Sequence, residues 1–495
     1  MLDHILRKYI EELPVGNVVN MVNNVLEEHS TIVVTAPPGA GKSTLLPLTV
    51  YNNIADSGKK ILILEPRRIA AKQIAERMSD MIGQNSGELV GYKVRFEKKV
   101  SKNTRIEVVT EGVLTRMIAT DPFMEDVSTI IFDEFHERNI NTDVALALAL
   151  ETQSIIRHDL RIIIMSATID ATLLCERLQA PLIESKGRMF DVETVYCGDI
   201  DIVNCATAVT RITHRAYSET DGNILVFLPG QSEINRCSEM LMQALPPEVI
   251  IRPLYGQLPP HAQKAAIAPP PDGRRKIVLA TSIAETSLTI EGITVVVDSG
   301  YCRRAIYDPH SGVNHLTTQR VSMDMARQRS GRAGRTAPGI CYRLWSKATE
   351  AKMAECRKPE ILEADLTSVI LNIAVWGGSN ITDIKWLTPP PKGHVEEAIE
   401  RLQLLGALND SLSVTSYGTS LASLPCHPRI AAMLVKANSP LLKALASDIA
   451  AILEEKDPLS QTNDADINTR ILLLRDARKT GKMGAWQRIA RTAQQ

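Results

Sequence analysis

The sequence predicts an α/β protein in which two parallel sheets, each with helices on both faces, are followed by a mostly helical region. Three observations lead to this prediction. Short, almost continuously apolar runs alternate with segments of helical periodicity, which is typical of strands buried on both faces of a sheet. The pattern occurs twice and gives way to helical periodicity from about residue 349 onward. At 495 residues, the chain is also too long for one hydrophobic core.

Composition narrows the class of protein. The sequence has no run of about 18 uncharged apolar residues, which argues against a transmembrane helix, and its first residues lack the order of a secretory signal. We therefore expect a cytoplasmic protein. The eight cysteines include no Cys-x-x-Cys pair, so neither a zinc site nor a disulfide framework is indicated. The formal net charge is −1, so nucleic-acid binding would require a local basic groove.

The first α/β unit is predicted over residues 1–188. Its first 30 residues have helical periodicity with a break at Leu13-Pro14, and a further helix is expected to start near Pro66. Strands are predicted at the apolar runs 31–35, 60–64, 105–109, 128–132 and 161–165, and another helix at 143–151.

A glycine-rich loop follows the first predicted strand and consists of Gly39, Ala40, Gly41, Lys42, Ser43 and Thr44. Backbone N–H groups of such a loop converge on phosphate oxygens, Lys42 can reach the β and γ phosphates, and the Ser43 hydroxyl can hold Mg²⁺. The usual first glycine is replaced by Ala36, which is small enough to preserve the loop. A plain turn between strand and helix is the alternative, and the later motifs favour the phosphate loop.

Two acids, Asp133 and Glu134, directly follow the predicted strand 128–132. In an open parallel sheet this position lies at the carboxyl edge, beside the phosphate loop. Asp133 can hold Mg²⁺ through a water molecule, and Glu134 can orient and deprotonate an attacking water. Adjacent acids at a strand end are common, but with the loop they predict a site that hydrolyses nucleoside triphosphates.

The second α/β unit is predicted over residues 189–348 and has no phosphate loop of its own. A turn signal at 308–312 predicts a β-hairpin within 303–316. Strands are expected at 223–228, 249–251, 276–279 and 294–297.

The last motif in the second unit is an arginine-rich segment, 328–335. Arg332 and Arg335 are three residues apart in what we interpret as a helix, which would place both guanidinium groups on one face. Fixed cations suit the charge that develops on a transferred γ-phosphoryl group. A basic surface helix is the alternative, although glycines inside such a helix would cost stability.

The region after residue 349 is predicted to be helical, with an amphipathic helix at 395–405 and a short wing at 411–415. Residues 469–495 carry seven Lys or Arg against one Asp. This basic end is either a helix facing nucleic acid or a solvated surface.

Taken together, these segments resemble the DEAH-box branch of the superfamily 2 helicases, and within it the HrpB-type helicases of bacteria. The resemblance extends over essentially the whole chain. It includes five further segments, at 66–71, 110–112, 166–168, 225–230 and 281–290.

The resemblance implies two RecA-like domains that close on ATP. It places Lys42, Ser43, Asp133 and Glu134 on one side of the cleft and Gln328, Arg332 and Arg335 on the other. Gln328 would help to position water, and Arg77 would lie against the adenine base. The aromatic residue that faces the base in many relatives is Ile267 here, so we expect a weak grip on the base and use of other nucleoside triphosphates besides ATP.

The resemblance also implies roles outside the nucleotide cleft. Contacts to the nucleic-acid backbone are assigned to Arg68, Thr110, Thr281 and Ser287, and coupling to hydrolysis is assigned to His136, Ser166 and Thr168. For His136, a packing role is the alternative. Residues 349–435 resemble the family's winged helix, and 436–495 resemble the start of its helical bundle. Members normally continue further, which implies a truncated chain or a shortened member.

The expected function is an ATP-dependent, Mg²⁺-dependent motor that moves along one strand and unwinds or remodels duplexes. RNA is favoured over DNA by the resemblance. Aromatic residues make up only 4% of the chain, too few for base stacking to dominate, so a channel that reads the backbone is expected. Two alternatives remain: a nucleotide-gated RNA-binding switch without productive unwinding, and a DNA-directed motor.

Overall fold

The computed structural model describes residues 2–37, 39–167, 171–187, 190–270, 273–285, 290–309, 311–378, 384–459 and 464–494. Within these residues, two parallel sheets are followed by a helical region, as predicted. No helix in the described ranges is long and apolar enough to span a membrane.

The first sheet has the described strand order β4-β3-β5-β2-β6-β7-β1-β8 and is parallel except for the β3–β4 pair. Its strands alternate between two buried faces: Ile32 and Val34 belong to one core cluster, and Val33 belongs to the other. The strands are β1 (Thr31–Thr35), β2 (Lys60–Leu64), β3 (Val90–Val94), β4 (Glu97–Lys99), β5 (Ile106–Val109), β6 (Val127–Phe132), β7 (Arg161–Ser166) and β8 (Leu182–Glu184).

Helices cover both faces of this sheet. The break predicted at Leu13-Pro14 is confirmed, because a 3-10 helix (Pro14–Val18) separates the first two α-helices. The α-helices of the first unit are α1 (Asp3–Glu12), α2 (Val19–Glu28), α3 (Leu45–Ile54), α4 (Arg68–Met81), α5 (Glu111–Thr120), α6 (Ile140–Ile155) and α7 (Ala171–Leu178).

The second sheet is parallel throughout its described strands, in the order β11-β12-β10-β13-β16-β9. The predicted hairpin is present as the antiparallel pair β14–β15. The strands are β9 (Val192–Tyr196), β10 (Asn223–Phe227), β11 (Ile250–Leu254), β12 (Lys276–Ala280), β13 (Ile293–Asp298), β14 (Tyr301–Asp308), β15 (Val313–Arg320) and β16 (Gly339–Arg343), and the helices are α8 (Cys205–Glu219), α9 (Gln231–Ala244), α10 (Pro260–Ile267) and α11 (Met323–Ser330).

The C-terminal region is helical. An isolated antiparallel bridge joins Leu408 to Val414, and Val414 lies within the predicted wing. The helices are α12 (Lys347–Glu350), α13 (Thr367–Trp376), α14 (Lys392–Leu404), α15 (Ser416–Ala422), α16 (Pro428–Lys436), α17 (Pro440–Glu454), α18 (Ile467–Thr480) and α19 (Gln487–Gln494). The winged-helix and helical-bundle assignments, and the four domain boundaries, stay predictions.

One apolar core joins the first unit to the C-terminal region. A single cluster contains Leu114 and Leu146 from α5 and α6 together with Ile370 and Leu402 from α13 and α14, all at most 1% exposed. No described residue of the second unit belongs to it. The first unit and the C-terminal region therefore share a core that the second unit does not enter.

Candidate nucleotide and nucleic-acid sites

The glycine-rich loop has the backbone shape that a phosphate cradle requires. Gly39 and Gly41 have φ of 83° and 89°, the left-handed region that favours glycine. A Cβ atom on Gly41 would also lie 2.9 Å from Leu13 Cδ1. The Val15 N–H donates to the Ala40 carbonyl at 3.0 Å, so the N-terminal segment supports the loop. Helix α3 begins at Leu45, so Lys42 precedes the helix.

Lys42 and Asp133 meet at the carboxyl edge of the first sheet, as the sequence predicts. Lys42 Nζ lies 3.9 Å from Asp133 Oδ1, and the Ser43 side chain lies beside the Asp133 carboxylate. Asp133 is fully buried, and its Oδ2 has no hydrogen-bond partner among the described residues. This buried carboxylate oxygen beside a serine hydroxyl fits Mg²⁺, which takes few protein ligands and fills its shell with water and nucleotide phosphates.

The two adjacent acids have opposite pKa shifts. Burial raises the pKa of Asp133, and the neighbouring Glu134 adds to the rise while Lys42 opposes it. Burial also acts on Glu134, but Lys42, His136 and Arg332 outweigh it and hold its pKa below the usual range. Glu134 is therefore ionised at neutral pH, as a group that orients and deprotonates water must be.

His136 connects the acidic motif to the end of β7. Its Nδ1 accepts a hydrogen bond from the Ala167 N–H at 3.3 Å, and its Nε2 lies 3.3 Å from Glu134 Oε2. Burial lowers the pKa of His136 to about 4, so the ring is neutral at pH 7. Ser166, the fully buried last residue of β7, lies between the phosphate loop and the acids because β7 pairs with both β1 and β6. This placement is compatible with the predicted coupling role.

The two predicted arginines reach the cleft, but the helix predicted for them is wrong. Helix α11 ends at Ser330, and Arg332 and Arg335 lie in the turn that follows. Both side chains are close enough to Glu134 for their charges to interact with its carboxylate. Burial lowers the pKa of Arg332 and, to about 10, that of Arg335.

Three residues not predicted from the sequence hold Arg332 in place. Arg329 is fully buried and donates to Glu285 Oε1 and Asp298 Oδ1, both at 2.7 Å. The Glu285 carbonyl then accepts from Arg332 Nε at 2.9 Å. The charged pairs around Arg329 therefore fix the backbone that positions Arg332. Arg329 lies in the arginine-rich segment, which is the sequence signal that could have identified it.

Arg67 makes contacts between the two units, whereas Gln328 of the second unit contacts the C-terminal region. Gln328 is 7% exposed, and its Oε1 accepts from Arg357 Nη2 at 3.1 Å. Arg67, which the sequence reading passed over in favour of Arg68, donates from Nη1 to the carbonyls of Ser282 (3.1 Å) and Ile283 (2.6 Å) in the second unit. The interface between the two units is therefore built from charged and polar groups.

A cavity of about 630 Å³ brings two of the predicted nucleic-acid residues together. Arg68 and Thr110 line it from the first unit, and Ser368 and Asn372 line it from α13. Arg116 also lines it and has no carboxylate within ion-pair distance among the described residues. Burial and the neighbouring Arg95 lower the pKa of Arg116, which means that its charge is poorly balanced locally.

The remaining predicted residues lie elsewhere. Thr281 follows β12 in the second unit and is not part of the cavity lining. Arg77 is exposed on α4, and Ile267 is half-buried at the end of α10. Ser287 and Thr168 lie outside the described residues.

Comparison with known protein families identifies both units. The DEAD/DEAH box helicase model matches residues 19–174, and the helicase conserved C-terminal domain model matches residues 206–337. The chain belongs to the DEAD/DEAH-box helicase family, and its two α/β units are the family's RecA-like domains.

Among curated proteins, the chain is 44% identical over 447 residues to ATP-dependent RNA helicase HrpB of Escherichia coli (strain K12), covering 90% of this chain and 55% of that protein. It is 36% identical to the pre-mRNA-splicing factor ATP-dependent RNA helicase prp22 of Schizosaccharomyces pombe, covering 87% and 38%. A crystal structure of the Escherichia coli DEAH/RHA helicase HrpB superimposes with a TM-score of 0.86 at 43% identity, covering 92% and 58%. The chain thus spans about half the length of HrpB and less of prp22.

Proposed function

We propose that this chain is an ATP-dependent RNA helicase that hydrolyses ATP, and other nucleoside triphosphates, between its two RecA-like domains. The observation that carries the proposal is that Glu134, from the first unit, lies close enough to Arg332 and Arg335, from the second, for their charges to interact. The first unit supplies the proton acceptor, the phosphate cradle and Lys42, whereas the two arginines come from the second unit. Such a divided site lets hydrolysis drive a relative movement of the domains.

The chemistry follows from the positions of these side chains. Glu134 orients a water molecule and takes its proton as the water oxygen attacks the γ-phosphorus and the bond to the β–γ bridging oxygen breaks. Lys42 and Arg332 stabilise the negative charge on the transferred group. Mg²⁺, held by Ser43 and through water by Asp133, would neutralise charge on the β and γ phosphates.

The strand is proposed to lie in the 630 Å³ cavity. Arg68 and Arg116 supply positive charge there without a carboxylate partner among the described residues, which suits a phosphodiester backbone. The names of the two curated relatives favour RNA over DNA as the strand.

ATPase assays with a panel of RNA and DNA single strands test this proposal. We expect RNA to stimulate turnover, and Lys42→Ala and Glu134→Gln each to abolish it, with Glu134→Gln still binding nucleotide. Full activity in either variant would refute the assigned site. Stimulation by DNA but not RNA would indicate a DNA-directed motor.

A strand-displacement assay separates a helicase from a switch. The helicase releases the displaced strand only with ATP, whereas a nucleotide-gated switch changes its affinity for RNA and releases none. Glu134→Gln is the matched control, because it keeps the binding surfaces and lacks the proton acceptor.

A further inference from the structure

We propose that Asn139 is a positioning residue that links the nucleic-acid cavity to docking of the second RecA-like domain. The proposal rests on the proposed function, because it assigns a route by which a bound strand stimulates hydrolysis. The Asn139 amide Nδ2 is shared between two carboxyl groups, at 2.8 Å from Glu111 Oε1 and 3.3 Å from Glu137 Oε2. One of these carboxyl groups belongs to the cavity and the other to the interdomain contact.

The first link runs from Asn139 to the cavity. Glu111 is among the cavity-lining residues, next to Thr110 at the start of α5. Its Oε1 also accepts from Thr142 Oγ1 at 3.2 Å. A strand that presses on the 110–112 segment would therefore shift the acceptor of the Asn139 amide.

The second link runs from Asn139 to the second domain. Glu137 Oε1 accepts from Arg67 Nη2 at 2.9 Å, and the other terminal nitrogen of Arg67 donates to the carbonyls of Ser282 and Ile283. Glu137 and Arg67 are 7% and 22% exposed, so this contact is largely shielded from water. Carbonyl acceptors at this site are available only while the second domain is docked.

The segment that carries Asn139 is also the one that carries the catalytic acid. The Glu137 N–H donates to the Glu134 carbonyl at 2.9 Å, and Glu134 and Arg138 both have left-handed φ angles, 49° and 51°. Non-glycine residues adopt this conformation at a cost, so the surrounding contacts determine the turn. A change transmitted through Asn139 therefore reaches the turn that orients Glu134.

Spatial proximity alone does not establish coupling; an element with two arrangements is needed. Docking and release of the second domain is that element. In the docked arrangement Arg67 is held by Glu137 and by two carbonyls, and on release it loses both carbonyls. Asn139, by fixing Glu137, favours the docked arrangement when Glu111 is in position.

The charges around Asn139 agree with this role. Burial and the nearby Glu360 raise the pKa of Glu111 to about 8, which leaves it neutral at pH 7. Glu137 is paired with Arg67, and Glu360 Oε2 accepts from the Ile140 N–H at 2.9 Å. Asn139 supplies the neutral donor that lets these acids lie close together.

The test compares Asn139→Ala with Thr142→Val. Both variants remove a hydrogen bond to the same oxygen of Glu111, but only Asn139 also reaches Glu137. We expect Asn139→Ala to keep basal ATPase activity and to lose about 2- to 30-fold of its stimulation by RNA, the range for residues that modulate coupling. Because coupling is reciprocal, the gain in RNA affinity on adding a non-hydrolysable ATP analogue should fall by a similar factor. Thr142→Val should keep both.

The outcomes distinguish the two proposals. If the unsubstituted chain is not stimulated by RNA, the proposed function fails and this link fails with it. If it is stimulated and Asn139→Ala is stimulated equally, the link is wrong and the proposed function stands. An equal loss in Thr142→Val would also overturn the role of Asn139, since placement of Glu111 alone would then explain it. Thermal melting of both variants shows whether a lost effect reflects misfolding.

Discussion

The first RecA-like domain meets its two neighbours through interfaces of opposite character. Its interface with the C-terminal region is part of a continuous apolar core that includes Leu146 and Ile370. Its interface with the second domain consists of charged and polar contacts, in which Arg67 binds carbonyls and Glu134 faces Arg332.

The difference indicates which parts move together. An apolar core loses its hydrophobic stabilisation when it opens, so the C-terminal region and the first domain should behave as one body. Polar contacts can exchange protein partners for water at a small net cost, so the second domain can dock and release. The groups proposed to catalyse hydrolysis are divided across the polar interface, which we expect to open, whereas the apolar interface should stay closed.

The largest effect is expected at the polar interface. Arg332→Ala should lower ATP turnover by about a thousandfold, because an arginine that contacts the transferred phosphoryl group contributes on this scale. Nucleotide affinity should change little, since the phosphate cradle belongs to the first domain. Turnover and nucleotide affinity, measured separately, check this.

A matched control arginine lies on helix α11, just before the arginine-rich segment. Arg327 is an exposed arginine on α11 that pairs with Glu355 at 2.6 Å, and Arg327→Ala should keep normal turnover. If Arg332→Ala instead lost nucleotide binding and the bound fraction turned over normally, Arg332 would be a binding residue and the assignment would be wrong.

At the apolar interface the expected effect is on stability. Ile370 is fully buried in the shared core, so Ile370→Ala should lower the free energy of unfolding by about 2–5 kcal/mol. Turnover per folded molecule should stay near normal, because Ile370 lies on α13 and none of the described side chains assigned to the nucleotide site is a member of this core cluster. Denaturant unfolding and ATPase assays on the same sample check both statements.

The control for Ile370 is Leu404, which is 83% exposed on α14. Leu404→Ala should leave the unfolding curve almost unchanged. A loss of stability as large as that of Ile370→Ala would mean that the apolar interface has been wrongly placed.

The smallest effect concerns pH. The pKa of Glu111 rises from 4.5 to about 8 in the folded state, so folding favours its protonated form. The contribution of Glu111 to the free energy of unfolding is fully present below about pH 4.5 and is lost as pH rises through about 8. Gln cannot ionise, so Glu111→Gln avoids this loss. Between pH 5 and pH 8 its free energy of unfolding should become higher relative to that of the parent chain, by about 1–3 kcal/mol. Melting curves of the two proteins at each pH check this. A difference in stability that stays constant across this pH range would contradict the raised pKa of Glu111.

Much of the fold could be predicted because its signals are local. The apolar runs at β1, β6 and β7 are nearly continuous, and strands buried on both faces require this pattern. The helix predicted through Arg332 and Arg335 was wrong because three-residue spacing indicates a shared face only if the helix continues, and α11 ends at Ser330.

The residues that were missed act through contacts distant in sequence. Arg67 reaches the second domain across more than 200 residues, and Arg357 reaches Gln328 from the C-terminal region. No local pattern distinguishes Arg67 from Arg68, one turned to the interdomain contact and the other to the cavity. Glu285 contributes a backbone carbonyl to Arg332, which side-chain motifs do not predict.

The central claim is that the polar interface opens while the apolar interface stays closed. Distances between labelled positions, measured with and without an ATP analogue, test this claim. Asn85, Glu239 and Ser420 are exposed and lie in the first domain, the second domain and the C-terminal region. The distance from Asn85 to Glu239 should change with nucleotide, while that from Asn85 to Ser420 should stay constant. A constant first distance together with a changing second one would contradict the account, because the interface that opens would then be the apolar one.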